Sequence, residues 1–265
     1  RAGVPLIEIV SEPDIRSAEE AGAYLTEVRK LVRYLEICDG NMEEGSMRCD
    51  ANISVRIKGV KELGNRVEVK NMNSIRNVKR AIDGEVIRQI DIIEAGGAIE
   101  QQTRGFNPTD ASTAPLRSKE NAHDYRYFPE PDLPPLVVKA DRVLMVKATM
   151  PPLPHELFAK FTSEFGLSEY DAGVLTDERE VALYFVSITE KTKNYKAAAN
   201  WVMGEVKSYL NQNAIHIDNF VLQPHHIVSI IELVDNGTVS SSGAKKLFDA
   251  IVENPKAQPM DLAND

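Results

Sequence analysis

Residues 48–73 read RCDANISVRIKGVKELGNRVEVKNMN, and the alternation inside this stretch decides the fold. Cys49, Ala51, Ile53 and Val55 alternate with Arg48, Asp50, Asn52, Ser54 and Arg56. Successive side chains of a strand point to opposite faces, so one face is apolar and the other carries charges and amides. The alternation returns at Val67 and Val69, set against Arg66, Glu68 and Lys70. Between the two runs lie two glycines and an asparagine, which suit a hairpin loop. Antiparallel pairing would gather Asp50, Asn52, Glu68 and Lys70 on one polar face. Two carboxylates, an amide and an ammonium on a rigid sheet suit a divalent cation and phosphate oxygens. A solvated face with cross-strand ion pairs is the alternative.

Upstream, residues 4–10 (VPLIEIV) form an apolar run interrupted by Glu8. A buried strand tolerates that carboxylate only with a partner or a metal; at a sheet margin it would reach solvent. Ser17 and Glu20 then make a capping box, and apolar spacing from Tyr24 to Leu35 predicts a helix over 18–37 ended by Gly40. Downstream, NMNS supplies caps for a second helix whose apolar face is Ile75, Val78, Ile82, Val86, Ile90 and Ile93. This helix should cover the apolar side of the sheet and leave the charged side open. A further strand is expected over 99–106, followed by a loop to Pro115.

The segment HDYRYFPEPDLPPLVV, beginning at His123, packs four prolines between Pro129 and Pro135, which impose a stiff, extended path. It would hold Arg126, Glu130 and Asp132 in place, either as the wall of a binding site or as a strap across a core. From residue 149 the pattern is helical only, with helices expected over 154–165, 177–191, 195–211, 224–236 and 241–253. Trp201 should be buried in that half. The last eleven residues show no periodicity and suggest a linker. We therefore divide the chain at 148/149.

At 265 residues, 43% of them hydrophobic, the chain can build two cores. It has no apolar run of about 18 residues and no signal-peptide pattern. Cys38 and Cys49 are the only cysteines and should be reduced thiols. The net charge of −9 argues against bulk attraction of nucleic acid. Phosphate contacts would need local clusters, such as Lys191, Lys193 and Lys196, or Lys245 with Lys246. The alternative is that these lysines are ordinary solvated surface.

Five words in order carry a family resemblance: RAGVPLIEIVSEPD, MEEGSMRCDANISV, EVKNMNS, DYRYFPEPDLPPL and NWVMGEVKSYLN. Together they resemble the B-subunit family of tRNA-dependent amidotransferases, over essentially the whole chain. One departure is NPTDASTAPLRSKE, which lacks the glycine usual in that loop and carries Leu116 where Met is common. The resemblance implies an α+β architecture. An antiparallel-sheet cradle similar to the catalytic domains of glutamine synthetase and guanido kinases would occupy 1–148, and an all-α helical domain 149–265. It further implies an ATP-dependent ligase using Mg²⁺, with Glu8, Asp50 and Glu68 as catalytic carboxylates and metal ligands. Arg48, Asn52, Lys70, Asn71, Asn73 and Arg126 would hold the nucleotide. The implied partners are a glutaminase (A) subunit, a small C subunit and misacylated tRNA, in a bacterial cytoplasm or an organelle. Further cradle residues, including metal ligands, would precede Arg1, and a tail domain would follow. A tRNA-holding scaffold and a free-standing small-acid amide ligase are the competing classes.

Overall fold

The computed structural model describes residues 5–118 and 135–263. The chain divides into two compact units, residues 1–148 and 149–265.

In the first unit, α1 (Ala18–Tyr34) begins at the predicted cap, where Ser17 Oγ accepts from the Glu20 amide at 3.1 Å. It stops three residues short of the expected end, and Glu36 follows in the left-handed region at φ 53°. Strands β1 (Ala51–Ile53) and β2 (Val67–Lys70) pair antiparallel, with Asn52 opposite Glu68 and Ile53 opposite Val67. The predicted hairpin is therefore present. Ser74 caps α2 (Ile75–Glu94). Strands β3 (Gln102–Phe106) and β4 (Thr113–Ser118) complete a sheet ordered β1-β2-β3-β4.

Three expectations need correction here. The sheet is mixed, because β2 and β3 run parallel. A helix of 20 residues separates them, and such a crossover returns the chain to the end from which it started. The expected loop to Pro115 contains β4, paired with β3 alone. Proline at position 115 is compatible with an edge strand, where a missing N–H costs no ladder bond. Finally, residues 5–10 form no strand; Leu6, Ile7, Ile9 and Val10 are exposed and Glu8 lies among them. Among the described residues nothing pairs with their backbone as a neighbouring strand.

The apolar side of the sheet is the predicted one. Ile53, Val67, Val69, Phe106 and Ile99 pack with Val78 and Ala81 of α2 and Leu25 of α1. Of the expected stripe on α2, Val78 is buried and Ile75, Ile82 and Val86 pack partly buried against this core, but the fully buried line is a different one. It runs Val78, Ala81, Glu85, Gln89, while Ile90 and Ile93 are 40% and 44% exposed. Gly84 lets this line approach closely, since a Cβ there would stand 2.8 Å from the Ala111 carbonyl oxygen.

The regular elements of the second unit are all helices among its described residues. It comprises α4 (Pro154–Ser163), α5 (Glu169–Leu175), α6 (Arg179–Thr189), α7 (Tyr195–Trp201), α8 (Lys207–Asn213), α9 (Pro224–Asp235), α10 (Ser241–Glu253) and α11 (Pro259–Leu262). Before them, α3 (Ala140–Thr149), unforeseen in the sequence, has no buried residue. Gly166 and Gly237, each one residue past the expected end of a helix at 165 and 236, both adopt left-handed φ. A π-helical stretch, Val202–Val206, joins α7 to α8 in one continuous helix. Trp201 is half-buried rather than buried, tilted against Phe248 at 5.8 Å between ring centroids. The expected C-terminal linker instead contains α11, which packs on α9 and α10 through the buried Pro259. No described helix is long and apolar enough to cross a membrane.

Candidate functional site

The polar face of the sheet holds the residues that alternation assigned to it. Lys70 Nζ donates to Asp50 Oδ2 and stands 3.4 Å from Glu68 Oε1. Asn52, exposed, is the direct cross-strand neighbour of Glu68. Exposure falls across the face, from 46% for the Asp50 side chain to 29% for Lys70 and 14% for Glu68. A ligand would therefore meet Asp50 first and Glu68 at the floor. Glu68 Oε2 accepts from the Thr103 hydroxyl at 2.8 Å, so both of its oxygens are engaged. The hydrogen bond to Asp50, outweighing partial burial, pushes the Lys70 ammonium up from its ordinary value and keeps it charged.

The other expected residues are placed as follows. Arg48 is exposed, its guanidinium lying beside Gly45 in the preceding loop. Asn71 ends β2 in the left-handed region at φ 67°, a conformation asparagine tolerates better than most residues. Asn73 Oδ1 accepts from Asn77 Nδ2 at 2.8 Å across the first turn of α2. Asn71 thus has a backbone duty, and Asn73 a side-chain bond one residue ahead of the Ser74 cap. Glu8 is not brought to the face as part of a strand, and the expected three-carboxylate set is not assembled. Among the described residues no group of three or more His, Cys, Asp or Glu could hold a metal. Arg126 lies outside the described residues.

Sequence reasoning missed a second polar cluster on the opposite side of the sheet. Glu85, with no exposure, accepts from Arg88 at 2.6 and 2.9 Å, from Gln89 at 2.9 Å and from Thr113 at 3.0 Å. Arg104 donates to the Thr113 hydroxyl at 2.7 Å and its carbonyl at 2.6 Å, with Nε 3.7 Å from Glu85. Burial pushes the Glu85 carboxyl up, but the hydrogen bonds from Arg88 and Gln89 prevail and hold it below the usual carboxylate range. The network ties α2 to β3 and β4 and so fixes the rear of the polar face. Its one sequence signal was an uninterrupted i, i+4 pair, Glu85 and Gln89, beside an apolar stripe.

The lysine clusters are partly committed. Lys196 pairs with the buried Asp171 at 2.5 Å, and Lys245 with Glu205 at 2.6 Å. Replacing Lys196 by an acid would set a carboxylate against Asp171, so Lys193 is the cleaner reporter of any phosphate contact.

Both cysteines are free. Burial, with the Asp50 charge as a lesser cause, pushes the Cys49 thiol up to about 11. Only the thiolate reacts, so alkylation of Cys49 by iodoacetamide should still rise about tenfold per pH unit up to about pH 10. A plateau near pH 9 would show an ordinary thiol. Asp50→Asn should move the curve modestly to lower pH, which makes Cys49 a reporter of charge on the polar face.

Comparison with known proteins bears directly on this geometry. Residues 1–144 match the GatB/GatE catalytic domain, and residues 183–265 match the GatB domain. The chain belongs to the GatB family. A relative from Trichlorobacter lovleyi is 50% identical over 254 residues, covering 96% of this chain and 54% of the relative. Relatives from Thioalkalivibrio sulfidiphilus and Chlorobaculum tepidum are 51% and 48% identical, covering 95% and 96% of this chain and 53% and 54% of their own lengths. All three are named as the B subunit of an aspartyl/glutamyl-tRNA(Asn/Gln) amidotransferase. The GatB chain thus spans about half the length of the curated relatives it matches. The whole polar face lies within the residues that match the catalytic domain.

Proposed function

We propose that this chain is part of the B subunit of an ATP-dependent amidotransferase acting on Glu-tRNA(Gln) or Asp-tRNA(Asn). The observation that carries the reading is the Asp50–Lys70–Glu68 cluster, two carboxylates and a charged ammonium on the open face of a rigid sheet. Supporting it are the names of relatives about half identical over nearly the whole chain.

The donor set fits Mg²⁺. Hard carboxylate oxygens suit it, and this ion is commonly held by one or two carboxylates plus substrate phosphates, without an all-protein cage. Asp50 and Glu68 would hold it, and when bound it neutralises charge on the transferred phosphoryl group. Lys70 keeps its proton and offers fixed positive charge to phosphate oxygens. Asn52 adds an exposed amide, and Arg48 a guanidinium, at the margin. In the reaction, the side-chain carboxylate of the tRNA-linked amino acid attacks the γ-phosphorus and ADP leaves. Ammonia then attacks the acyl phosphate, giving the amide and inorganic phosphate. A glutaminase (A) subunit would supply the ammonia and a small C subunit would complete the assembly. A cradle of the glutamine synthetase and guanido kinase kind remains part of this reading. So do a cytoplasmic or organellar setting, and Glu8 and Arg126 as contributors to the site.

In the assembled enzyme, Asp50→Asn is expected to reduce ATP-dependent phosphorylation of the misacylated tRNA by about 100-fold or more. Glutamine hydrolysis by the partner should persist. Undiminished phosphorylation would overturn the assignment of this face.

A further inference from the structure

We propose that Thr103 is a positioning residue for the polar face, fixing one oxygen of Glu68 so that the other stays turned toward Lys70. The inference rests on the reading of that face as the Mg²⁺–nucleotide site and adds to it a residue that touches neither ligand.

Thr103 is the β3 neighbour of Glu68 in the parallel register. Its hydroxyl, in a residue 1% exposed, donates to Glu68 Oε2 at 2.8 Å, while Oε1 faces Lys70 Nζ at 3.4 Å. The terminal torsion of glutamate is intrinsically soft, so an isolated Glu68 would sample many carboxylate orientations. Partners on both oxygens remove that freedom, because rotation sacrifices one of them. Threonine suits the task, being stiff at χ1, so that the hydroxyl itself does not wander.

The strand beneath is fixed as well. Pairing between β3 and β4 shifts register between Thr103 and Arg104. The extra residue is Leu116 of β4, so Thr103 and Arg104 keep the ordinary alternation of a strand and point to opposite faces. Here consecutive residues are both buried, with Thr103 turned to Glu68 and Arg104 to Thr113 and Glu85. The rear network thus holds β3 at the residue next to the one that orients the front carboxylate.

The test uses the complete enzyme and measures binding of the Mg²⁺ complex of a non-hydrolysable ATP analogue by calorimetry. Outer partners of metal-binding carboxylates typically cost 10–100-fold when removed, so Thr103→Val should weaken binding by about that factor. Thr103→Ser, which restores the hydroxyl, should return affinity to within about threefold. On a Glu68→Gln background, Thr103→Val should add less than about twofold, since coupled residues are not additive. An equal loss on both backgrounds would mark a merely structural role and overturn the proposal. So would unchanged affinity in Thr103→Val when Glu68→Gln binds weakly, leaving the site reading intact. If Glu68→Gln itself binds normally, the site reading fails instead. Should Thr103→Val not assemble, Thr103→Ala against Thr103→Ser makes the same comparison, and equal affinities there refute the role.

Discussion

Replacing Glu85 by alanine is expected to cost the first unit about 3–5 kcal/mol, the range for breaking a buried ion pair by removing one partner. Glu85 has no exposure and accepts from Arg88, Gln89 and Thr113. Its loss leaves Arg104, 8% exposed, without the carboxylate its guanidinium now faces. A desolvated cation without a counter-charge is the costly outcome, more so than the missing methylenes. Glu85→Gln keeps an acceptor but no charge, and should fall between the parent and the alanine variant. Hydrogen exchange at β3 and β4 amides reports the loss where it arises, since the network joins α2 to those strands. The pH dependence follows from the depressed carboxyl. Its contribution is complete above the ordinary carboxylate range and is lost as pH falls through the lower folded value. The alanine variant should lack that part of the acid limb. Equal exchange rates in parent and variant would show that the network carries no net stability.

Glu85 also marks the point where local sequence pattern stops being informative. Alternation at Cys49–Val55 and Val67–Lys70 settles the two faces of the hairpin, because a strand cannot bury one set without exposing the other. Ser17 and Ser74 announce their helices by chemistry that depends only on the next few residues. Glu85 is different. Its partner Thr113 is 28 positions away, and the adjacent isoleucine stripe satisfies a helical period equally well. The helix turns its polar line inward because Arg104 and Thr113 wait there, which no local pattern can express. Pro115 misled for a related reason: it excludes a central strand, and only topology reveals that β4 is an edge. Thr103 gave no signal, since threonine is common in strands and its role appears only once its neighbour is known to be Glu68. The residues of the polar face were legible from alternation and the family from its five words. The partners that hold that face in place were not.

In the second unit, Phe185→Ala should lower stability by about 3–5 kcal/mol, the usual cost of truncating a buried phenylalanine. Phe185 of α6 has no exposure and meets Phe161 of α4 edge-on, with centroids 4.9 Å apart and planes at 80°. It also meets Phe165 at 6.2 Å, and Phe165 stacks on Tyr195 of α7 at 4.2 Å. The cluster of rings thus links α6 to α4 directly and to α7 through Phe165, and removing the Phe185 ring opens a cavity that these separately anchored backbones cannot readily close. Phe185→Leu keeps most of the volume and the apolar surface, so it should cost under about 2 kcal/mol, mainly the edge-to-face geometry. The single tryptophan, Trp201, lies in α7 and is half-buried against Phe248, so its fluorescence follows this unit selectively during urea unfolding. A midpoint for Phe185→Ala indistinguishable from that of Phe185→Leu would mean that the cavity collapses. The aromatic cluster would then be filling space without anchoring the helices around it.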